Sequence, residues 1–488
     1  MKNILIAQIH GIGTVAKGVM LEVLQNMLNQ YPESNVYYLS CSNSFNVCHV
    51  NVNKIPETCY LCKQGIKKGI NLIDKDFIHL KIDDLININD EKEASDFLKL
   101  NPVIDKKLKY KDYFVGEAAI SSYISKSRDR DMVNVDKSFI KDIVRNDVIF
   151  YNALDRFFQE KKIDKVYNFN GRNSYQKAVL STSIKYGIDC INMEVARPEG
   201  YLEIFKNVIP HDINAKTNLI NEAWNKSQLK IGERREIGAS FFEKKINNEN
   251  LNDKVYTKDQ IKDKLPIGID YTKKTYVLFT SSDDEFAAVG KEYDNPFFRD
   301  QNDGIKYIIE IFSKILIDCN LVIRMHPNLK GIQFDYVRVL REMGKDLSNV
   351  QVIFPESPVD TYALLNIAEK VIVFGSTIGV EATYWKKPVI LLGKSFYYKM
   401  NIAYIPDNKE EIIGLLTNNL QPKNNEDALK LGYYFMRGGE KSNNYNNNLE
   451  KNVFFKGIEL YKYSFFEKLN VKLIQLVNKY LKIRILVK

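Results

Sequence analysis

Short apolar strands alternate with helical segments along the first two hundred residues, and this alternation restricts the fold more than any other feature of the chain. Apolar runs occupy residues 4–9 (ILIAQI), 36–40 (VYYLS), 165–171 (KVYNFNG) and 190–195 (CINMEV). Strands that alternate with helices form parallel sheets, because a parallel neighbour is reached through a crossover connection. The N-terminal part is therefore predicted to be an α/β domain.

The alternation restarts after residue 270. Apolar runs there occupy residues 275–280 (TYVLFT), 321–325 (LVIRM), 350–354 (VQVIF), 371–375 (VIVFG) and 389–393 (VILLG). A chain of 488 residues also exceeds what one hydrophobic core usually serves. We therefore predict an α/β protein with two doubly wound, Rossmann-like domains that face a central cleft.

The pattern predicts four regions. They are an N-terminal α/β domain (1–212) with a helical insertion near 91–160, a helical interdomain connection (213–270), a second α/β domain (271–430) and a C-terminal helical extension (431–488).

Composition narrows the class of protein. A hydrophobic fraction of 45% and a charged fraction of 27% are typical of a folded globular chain and exclude global disorder. The net charge of +9 suits an anionic small substrate or an acidic membrane surface as well as nucleic acid, and we predict no nucleic-acid partner. No signal peptide or spanning segment is recognisable, and six cysteines are too few for a disulfide scaffold. We therefore expect a cytoplasmic protein, or one held peripherally at the inner face of the membrane.

Two hydroxyl residues follow the strand at 371–375. Gly375 ends that strand, and Ser376 and Thr377 precede a helix predicted over residues 378–385. The first turn of a helix has unpaired N–H groups and a positive dipole end, so it can bind a phosphate. The same residues also suit an ordinary helix cap. Glu381, further along this helix, is predicted either to reach ribose hydroxyls or to be a solvated helix acid.

A second polar element follows the strand at 321–325. His326 and Pro327 come directly after it, and Arg324 lies at its end. Proline stiffens the loop, imidazole can donate a hydrogen bond to a phosphate, and guanidinium can bind one in a bidentate manner. The alternative is a solvated arginine and an ordinary loop histidine.

The pairing of these two elements in one sheet resembles the bacterial capsule polysaccharide biosynthesis proteins. That GT-B group includes the Kdo transferases of capsule export systems, and the layout is also similar to bacterial sialyltransferases. Further matching pieces are YNFNGRNSYQKAV (167–179), EVARPEGYLEIFKNVIPHD (194–212), VLFTSSDDEF (277–286) and NPFFRDQ (295–301), so the resemblance covers most of residues 1–440. One piece departs from the pattern, because Glu194 is followed by Val195 and Ala196 where many relatives read Glu-Arg-Gly.

The resemblance implies a nucleotide-sugar glycosyltransferase. In the relatives the His-Pro and Ser/Thr elements contact the phosphate of a CMP-sugar, which implies that His326, Ser376 and Thr377 hold the donor phosphate. Ser281 and Ser282 belong to the matching donor-side piece. Acceptor-side candidates are His10, Gly11, Gly13, Asn170 and Arg172, all near predicted strand ends.

Transfer to a hydroxyl requires a base, and two strand-end carboxylates are candidates. We rank Glu194 ahead of Glu285, because the acceptor of a GT-B enzyme usually binds to the N-terminal domain. The DRD triplet at residues 129–131 matches a metal-binding DxD by chance, because no strand precedes it.

Cysteines cluster near the N-terminus. Cys41, Cys48, Cys59 and Cys62 could coordinate a structural zinc, although their spacing is irregular for a zinc module. We therefore expect free cysteines, which behave as small apolar residues, with structural zinc as the alternative. No cofactor is expected beyond the nucleotide-sugar substrate.

The segment 469–488 sets apolar residues against Lys and Arg at helical spacing. It is predicted to be a packing helix, with a membrane-surface helix as the alternative.

The predicted function is therefore transfer of a sugar from a nucleotide donor, plausibly CMP-linked, to a glycan or lipid-linked glycan of a capsule or other surface polysaccharide. The alternatives are a polyol-phosphate transferase of the teichoic-acid type, a nucleotide-sugar epimerase, or a non-catalytic assembly partner.

Overall fold

A computed structural model of the chain describes residues 1–10, 15–41, 43–45, 47–51, 55–135, 137–249, 251, 255–448 and 452–481. The chain divides into two compact units. We call Met1–Ser127, Met132–Pro210 and Gly439–Lys488 the N-terminal unit, and Arg128–Asp131 with His211–Gly438 the C-terminal unit.

The strands, in chain order, are β1 Asn3–Ala7, β2 Asn35–Ser40, β3 Ile78–Lys81, β4 Lys165–Phe169, β5 Asp189–Val195, β6 Tyr201–Lys206, β7 Thr275–Phe279, β8 Asn320–Arg324, β9 Val350–Ile353, β10 Ala368–Val373, β11 Val389–Leu391, β12 Glu440–Lys441, β13 Tyr445–Asn447, β14 Val453–Phe455 and β15 Ile458–Glu459. The α-helices are α1 Ala16–Gln30, α2 Pro56–Ile70, α3 Ile88–Leu100, α4 Val115–Ser127, α5 Lys137–Lys161, α6 Ser174–Lys185, α7 Ile213–Asn225, α8 Ile231–Ile246, α9 Asp283–Ala287, α10 Gln301–Lys314, α11 Asp335–Glu342, α12 Thr361–Ile367, α13 Ile378–Tyr384, α14 Lys409–Thr417, α15 Glu426–Arg437 and α16 Phe465–Leu481.

The sheet of the N-terminal unit has the order β12-β6-β5-β4-β1-β2-β3. Its five strands from β3 to β5 are parallel, and β6 and β12 add an antiparallel edge. The chain moves outward from β1 in one direction to β3 and in the other from β4 to β5, so the order reverses between β1 and β4. Open α/β sheets bind ligands at such a reversal, beyond the carboxyl ends of the strands.

The sheet of the C-terminal unit has the order β11-β10-β7-β8-β9, and all four strand pairs are parallel. Its reversal lies between β7 and β10. Every residue of β7 and β8 is buried, which explains why both read as continuous apolar runs. The prediction of an α/β protein with two doubly wound, Rossmann-like units is confirmed.

Two helices of the predicted interdomain connection belong to the C-terminal unit. Both α7 and α8 pack against α15, and the buried aromatic rings of Trp224 and Tyr433 meet edge to face between α7 and α15. The described residues of the connection include no strand, as predicted, but they form part of the packed unit.

The predicted helical extension over 431–488 differs from the structure. Helix α15 ends at Arg437, after which the chain joins the N-terminal unit as the edge strand β12 and the small antiparallel sheet β13-β14-β15. Only α16 is helical beyond residue 438 among the described residues.

This returning segment covers one face of α1. The Lys17 ammonium donates to the backbone oxygen of Leu460, and the Glu22 carboxylate accepts the N–H groups of Asn443 and Asn444. Burial lowers the pKa of Lys17 to about 7. The buried Lys17 and Glu22 of α1 therefore both have partners more than four hundred residues away.

Gly18 permits this packing, and its replacement tests it. A Cβ atom at Gly18 would lie 2.6 Å from the Tyr445 ring and 2.7 Å from Val453. We expect Gly18→Ala to lower the free energy of unfolding of the N-terminal unit by about 1–3 kcal/mol, although alanine favours helices.

The matched control is Gly232→Ala in α8, where no atom lies within 4 Å. That change should stabilise by up to about 1 kcal/mol. Thermal unfolding measures both, and equal gains in the two variants would contradict the packing.

Within the described residues, no helix has both the length and the apolar character needed to cross a membrane.

Candidate functional site

Arg324 ends β8 with its guanidinium buried. Nη1 donates to the Phe354 carbonyl oxygen at 2.6 Å and Nη2 to that of Ser357 at 3.2 Å, while Nε has no hydrogen-bond partner among the described residues. No carboxylate of the described residues forms an ion pair with Arg324, and Glu356 pairs with Arg341 instead. Burial lowers the pKa of Arg324 to about 10, so it remains a cation at neutral pH. A buried cation without a counter-ion favours an anionic ligand.

His326 follows in the β8–α11 connection. The backbone N–H of His326 donates to the Thr280 hydroxyl at 2.9 Å, and this hydrogen bond connects the ends of β7 and β8. Its ring Nδ1 accepts the Asn328 N–H at 3.1 Å. A neutral imidazole that accepts at Nδ1 carries its proton on Nε2, so this ring has its donor at Nε2. Pro327 then begins a short 3₁₀ turn.

The β10–α13 turn brings the hydroxyl pair to the same edge of the sheet. Gly375 has φ +150°, and a Cβ there would meet the Phe286 ring at 2.9 Å and the Lys394 carbonyl oxygen at 3.0 Å, so glycine is required. Thr377 is the N-cap residue of α13, yet its side chain makes no capping hydrogen bond. The structure therefore does not show the ordinary-cap role that was the alternative for Thr377.

One pocket of the C-terminal unit is lined by residues from these strand ends. Thr280 lies at the end of β7, Arg324 and His326 at the end of β8, and Ser376 and Thr377 at the end of β10, and all five line the pocket. The pocket has a volume of about 100 Å³. The other lining residues are Lys245, Glu249, Leu251, Val255, Tyr256, Thr257, Gln260, Phe279, Pro327, Thr361, Tyr362, Ile378 and Glu381.

Glu381 is not a solvated helix acid, and its contact with ribose stays a prediction. Its carboxylate is buried and accepts hydrogen bonds from the Lys245 ammonium at 2.6 Å and the Tyr362 hydroxyl at 2.7 Å. Burial and this carboxylate raise the pKa of Tyr362 far above its usual value, so the phenol remains protonated. Glu381 thus joins α8, α12 and α13 in one wall of the pocket.

Ser281 and Ser282, which follow β7, form hydrogen bonds with neighbouring segments. The buried Ser281 N–H donates to the Gln301 side chain at 2.7 Å, and its hydroxyl lacks a partner in the described part of the chain. Ser282 accepts a hydrogen bond from the Asn328 amide at 3.1 Å, and exposed Glu285 accepts from the same amide at 3.1 Å. Neither serine lines the pocket.

The segment Arg128–Asp131 (RDRD) contacts the acids that follow Ser282. Arg128 binds the Asp284 carboxylate in a bidentate manner at 2.8 and 3.1 Å, and Arg130 pairs with Asp283. The two arginines of this segment thus hold it against the C-terminal unit.

Acceptor-side candidates of the N-terminal unit lie at its own strand ends. Asn170 (φ +62°) follows β4 and donates its side-chain amide to the Glu194 carboxylate at the end of β5, at 2.7 Å. Arg172 donates to the Ser125 hydroxyl at 3.0 Å. The structure therefore brings Asn170 and Glu194 into direct contact, as neighbours along one edge of the sheet.

His10 follows β1 and lies in a buried histidine pair. Its ring meets His49 edge to face at 4.4 Å, and His10 Nε2 and His49 Nδ1 are both buried without a hydrogen-bond partner among the described residues. Burial lowers the pKa of both, to about 4 for His49, so both are neutral at pH 7. Gly11 and Gly13 lie outside the described residues.

His10 also lines a pocket with Cys41, Cys48, Cys59 and Cys62. Burial raises the pKa of the Cys41, Cys48 and Cys59 thiols, which favours the protonated form. Among the described residues, no group of three or more His, Cys, Asp or Glu side chains is arranged so that it could hold a metal ion. Structural zinc stays a prediction.

Three lining residues of the C-terminal pocket had no signal in the sequence. Lys245 comes from α8, Tyr362 from α12, and Tyr256 from the loop after α8, where its ring meets the His326 ring edge to face at 4.9 Å. All three come from segments that lack a strand-end motif.

Comparison with known proteins gives one family match. Residues 253–409 match the family model described as capsule polysaccharide biosynthesis protein. No curated protein matches the chain.

Solved structures with a similar fold include two transferases and an epimerase. The beta Kdo 2,4 transferase of Thermosulfurimonas dismutans KpsC is 14% identical over 63% of this chain and 86% of its own, with a TM-score of 0.36. The beta Kdo 2,7 transferase of the same protein is 14% identical over 66% and 89%, with a TM-score of 0.34. UDP-GlcNAc 2-epimerase of Methanocaldococcus jannaschii, solved with UDP-GlcNAc and UDP, is 15% identical over 88% and 98%, with a TM-score of 0.27.

Proposed function

We propose that the chain is a glycosyltransferase of surface polysaccharide synthesis that uses a nucleotide-sugar donor, because residues 253–409 match the family model described as capsule polysaccharide biosynthesis protein. The proposed donor is CMP-linked, and the proposed acceptor is a glycan or a lipid-linked glycan. The strand-end residues of the C-terminal pocket all lie inside the matched segment.

One observation carries the proposal. A buried guanidinium that forms no ion pair within the described residues, an imidazole with its donor at Nε2 and two hydroxyl residues at the start of a helix line a single pocket. These groups are all donors, and a donor set with a net positive charge suits a phosphodiester. The pocket also lies at the reversal of strand order, where α/β sheets usually bind nucleotides.

Each of these groups has a role in the proposed sugar transfer. Arg324, His326, Ser376 and Thr377 would bind the donor phosphate and stabilise the negative charge that grows on it as the bond to the anomeric carbon breaks. The acceptor hydroxyl forms the new bond to that carbon, a carboxylate takes its proton, and the nucleoside monophosphate leaves. We propose Glu194 as that carboxylate, with Glu285 as the alternative.

A nucleotide-sugar panel with product analysis tests the proposal. We expect the chain to release CMP from a CMP-sugar when a glycan acceptor is present. Interconversion of a nucleotide sugar without acceptor would identify an epimerase, transfer of a polyol phosphate would identify the teichoic-acid type, and no turnover with any donor would favour an assembly partner. Each of these three outcomes would overturn the glycosyltransferase proposal.

Substitution of His326 tests the phosphate contact separately. We expect His326→Ala to weaken CMP binding by about 10- to 100-fold, since a hydrogen bond to a charged group contributes about 1.5–3 kcal/mol. Joint replacement of Ser376 and Thr377 by alanine should also weaken it, with little change in the melting temperature of the free protein. Calorimetric titration measures the affinity, and His79→Ala, a histidine on β3, is the control. Unchanged CMP affinity in the His326 variant would remove that residue from the site.

A further inference from the structure

Helix α16 exposes an apolar stripe along one side. Phe465, Leu469, Leu473 and Leu476 follow one another at intervals of four, four and three residues, and Phe466 lies beside them. Their side chains are exposed to 75%, 42%, 50%, 50% and 74%, respectively. This spacing places all five on one face of the helix.

The opposite side of α16 packs on the N-terminal unit. Helix α16 contacts α2, and the Asn470 amide donates to the Tyr60 hydroxyl of α2 at 2.9 Å. Val471 and Ile474 are half-buried and lie on the side away from the stripe, and the half-buried Val477 lies at the border of the stripe. The packing role predicted for this helix is therefore filled by one face, and the exposed stripe is additional.

Charge beside the stripe is positive. Lys468 and Lys472 are exposed and lie one turn apart next to the leucines. The acid of this helix, Glu467, is engaged in its cap, because its carboxylate accepts the Ser464 N–H at 2.6 Å and the Ser464 hydroxyl accepts the Glu467 N–H at 3.2 Å. The face that carries the stripe thus presents aromatic and leucine side chains with lysines and no carboxylate.

From this arrangement we infer that α16 is a membrane-surface helix, which lies in the plane of an anionic bilayer with its stripe in the acyl boundary and its lysines at the headgroups. Helices that lie in this interface combine an apolar face that carries Phe and Leu with flanking Lys residues. A second copy of the chain would also cover the apolar atoms, but it would place lysines beside lysines. The charge therefore favours lipid phosphate over self-association.

Sedimentation of the full chain with lipid vesicles tests this. We expect binding to vesicles of phosphatidylcholine with phosphatidylglycerol, and at least about tenfold weaker binding to phosphatidylcholine alone, since each of the two lysines contributes about fivefold near an anionic surface. Joint replacement Leu473→Glu and Leu476→Glu should lower binding to the anionic vesicles by at least about tenfold. Joint Lys468→Gln and Lys472→Gln should lower it by a similar factor. Because all four side chains are exposed, the melting temperature should not change.

The matched control is Ile267→Glu, an apolar residue that is 89% exposed in a loop of the C-terminal unit. This variant should bind vesicles like the unchanged chain. Equal binding by the α16 variants and the unchanged chain would overturn the proposal, as would a dimer in light scattering that Leu473→Glu dissociates while vesicles bind neither form. The outcome does not depend on the donor site, so CMP release and vesicle binding can fail separately.

Discussion

Replacement of Arg324 by methionine is expected to lower CMP affinity by at least about a hundredfold, with a small change in the stability of the free protein. The buried guanidinium has backbone carbonyl partners and no counter-ion among the described residues, so a bound phosphate would neutralise a charge that burial leaves costly. Methionine removes that charge and keeps most of the volume. It leaves two carbonyl oxygens without donors, which costs about 1–3 kcal/mol for each, offset by loss of the buried charge.

The measurement is calorimetric titration of CMP together with unfolding of the free variant. Arg324→Lys is the matched control, because lysine keeps the charge but cannot donate to the Phe354 and Ser357 carbonyl oxygens as a planar fork. The CMP affinity of the lysine variant should lie between that of the unchanged chain and that of the methionine variant. CMP affinity that survives in the methionine variant would place the anion elsewhere.

The lowered pKa of Arg324 gives this prediction a pH dependence. The phosphate binds the protonated guanidinium, whose pKa in the free protein is about 10. CMP affinity should therefore be constant from pH 7 to 9 and fall as the pH rises through about 10. The methionine variant should lack this fall.

Replacement of Glu194 by glutamine is expected to lower kcat by about 10²- to 10⁴-fold while leaving CMP affinity unchanged. Glutamine keeps the shape and an oxygen that can accept from the Asn170 amide, but it cannot take a proton. Single-turnover transfer to a glycan acceptor measures the effect.

Glu285→Gln is the comparison. It should retain most of the transfer rate if Glu194 is the base, although the Glu285 carboxylate accepts a hydrogen bond from Asn328, two residues after His326. A loss confined to the Glu285 variant would reverse the assignment. Full activity in both would exclude both carboxylates as the base.

The strands and their polar ends could be predicted because both depend on local sequence. Continuous apolar runs identify buried parallel strands, and a parallel sheet brings the residues after β8 and β10 to one edge. His326 and Thr377, about fifty residues apart, therefore line one pocket, as the strand-end argument expected. The helix start after Gly375 was also placed correctly.

Contacts between distant segments could not be predicted. Glu381 lies at an ordinary helical position, and only the fold brings Lys245 and Tyr362 to it. The return of residues 439–460 to α1 likewise has no local signal, because Asn-rich sequence is typical of surface segments, yet Tyr445 and Phe455 are buried within it. The sequence does contain one hint, since Lys17, Gly18 and Glu22 are unusual on a buried helix face.

The return of the chain to α1 sets the order in which the two units can be completed during translation. The residues that cover Gly18 follow the whole of His211–Gly438, so a ribosome makes every strand of the C-terminal sheet before it makes Tyr445 or Val453. The first two hundred residues therefore emerge with this face of α1 uncovered, and Tyr445 and Val453 cover Gly18 only after the second sheet has been synthesised. We expect the nascent N-terminal half to reach its final packing only when the last fifty residues have been made.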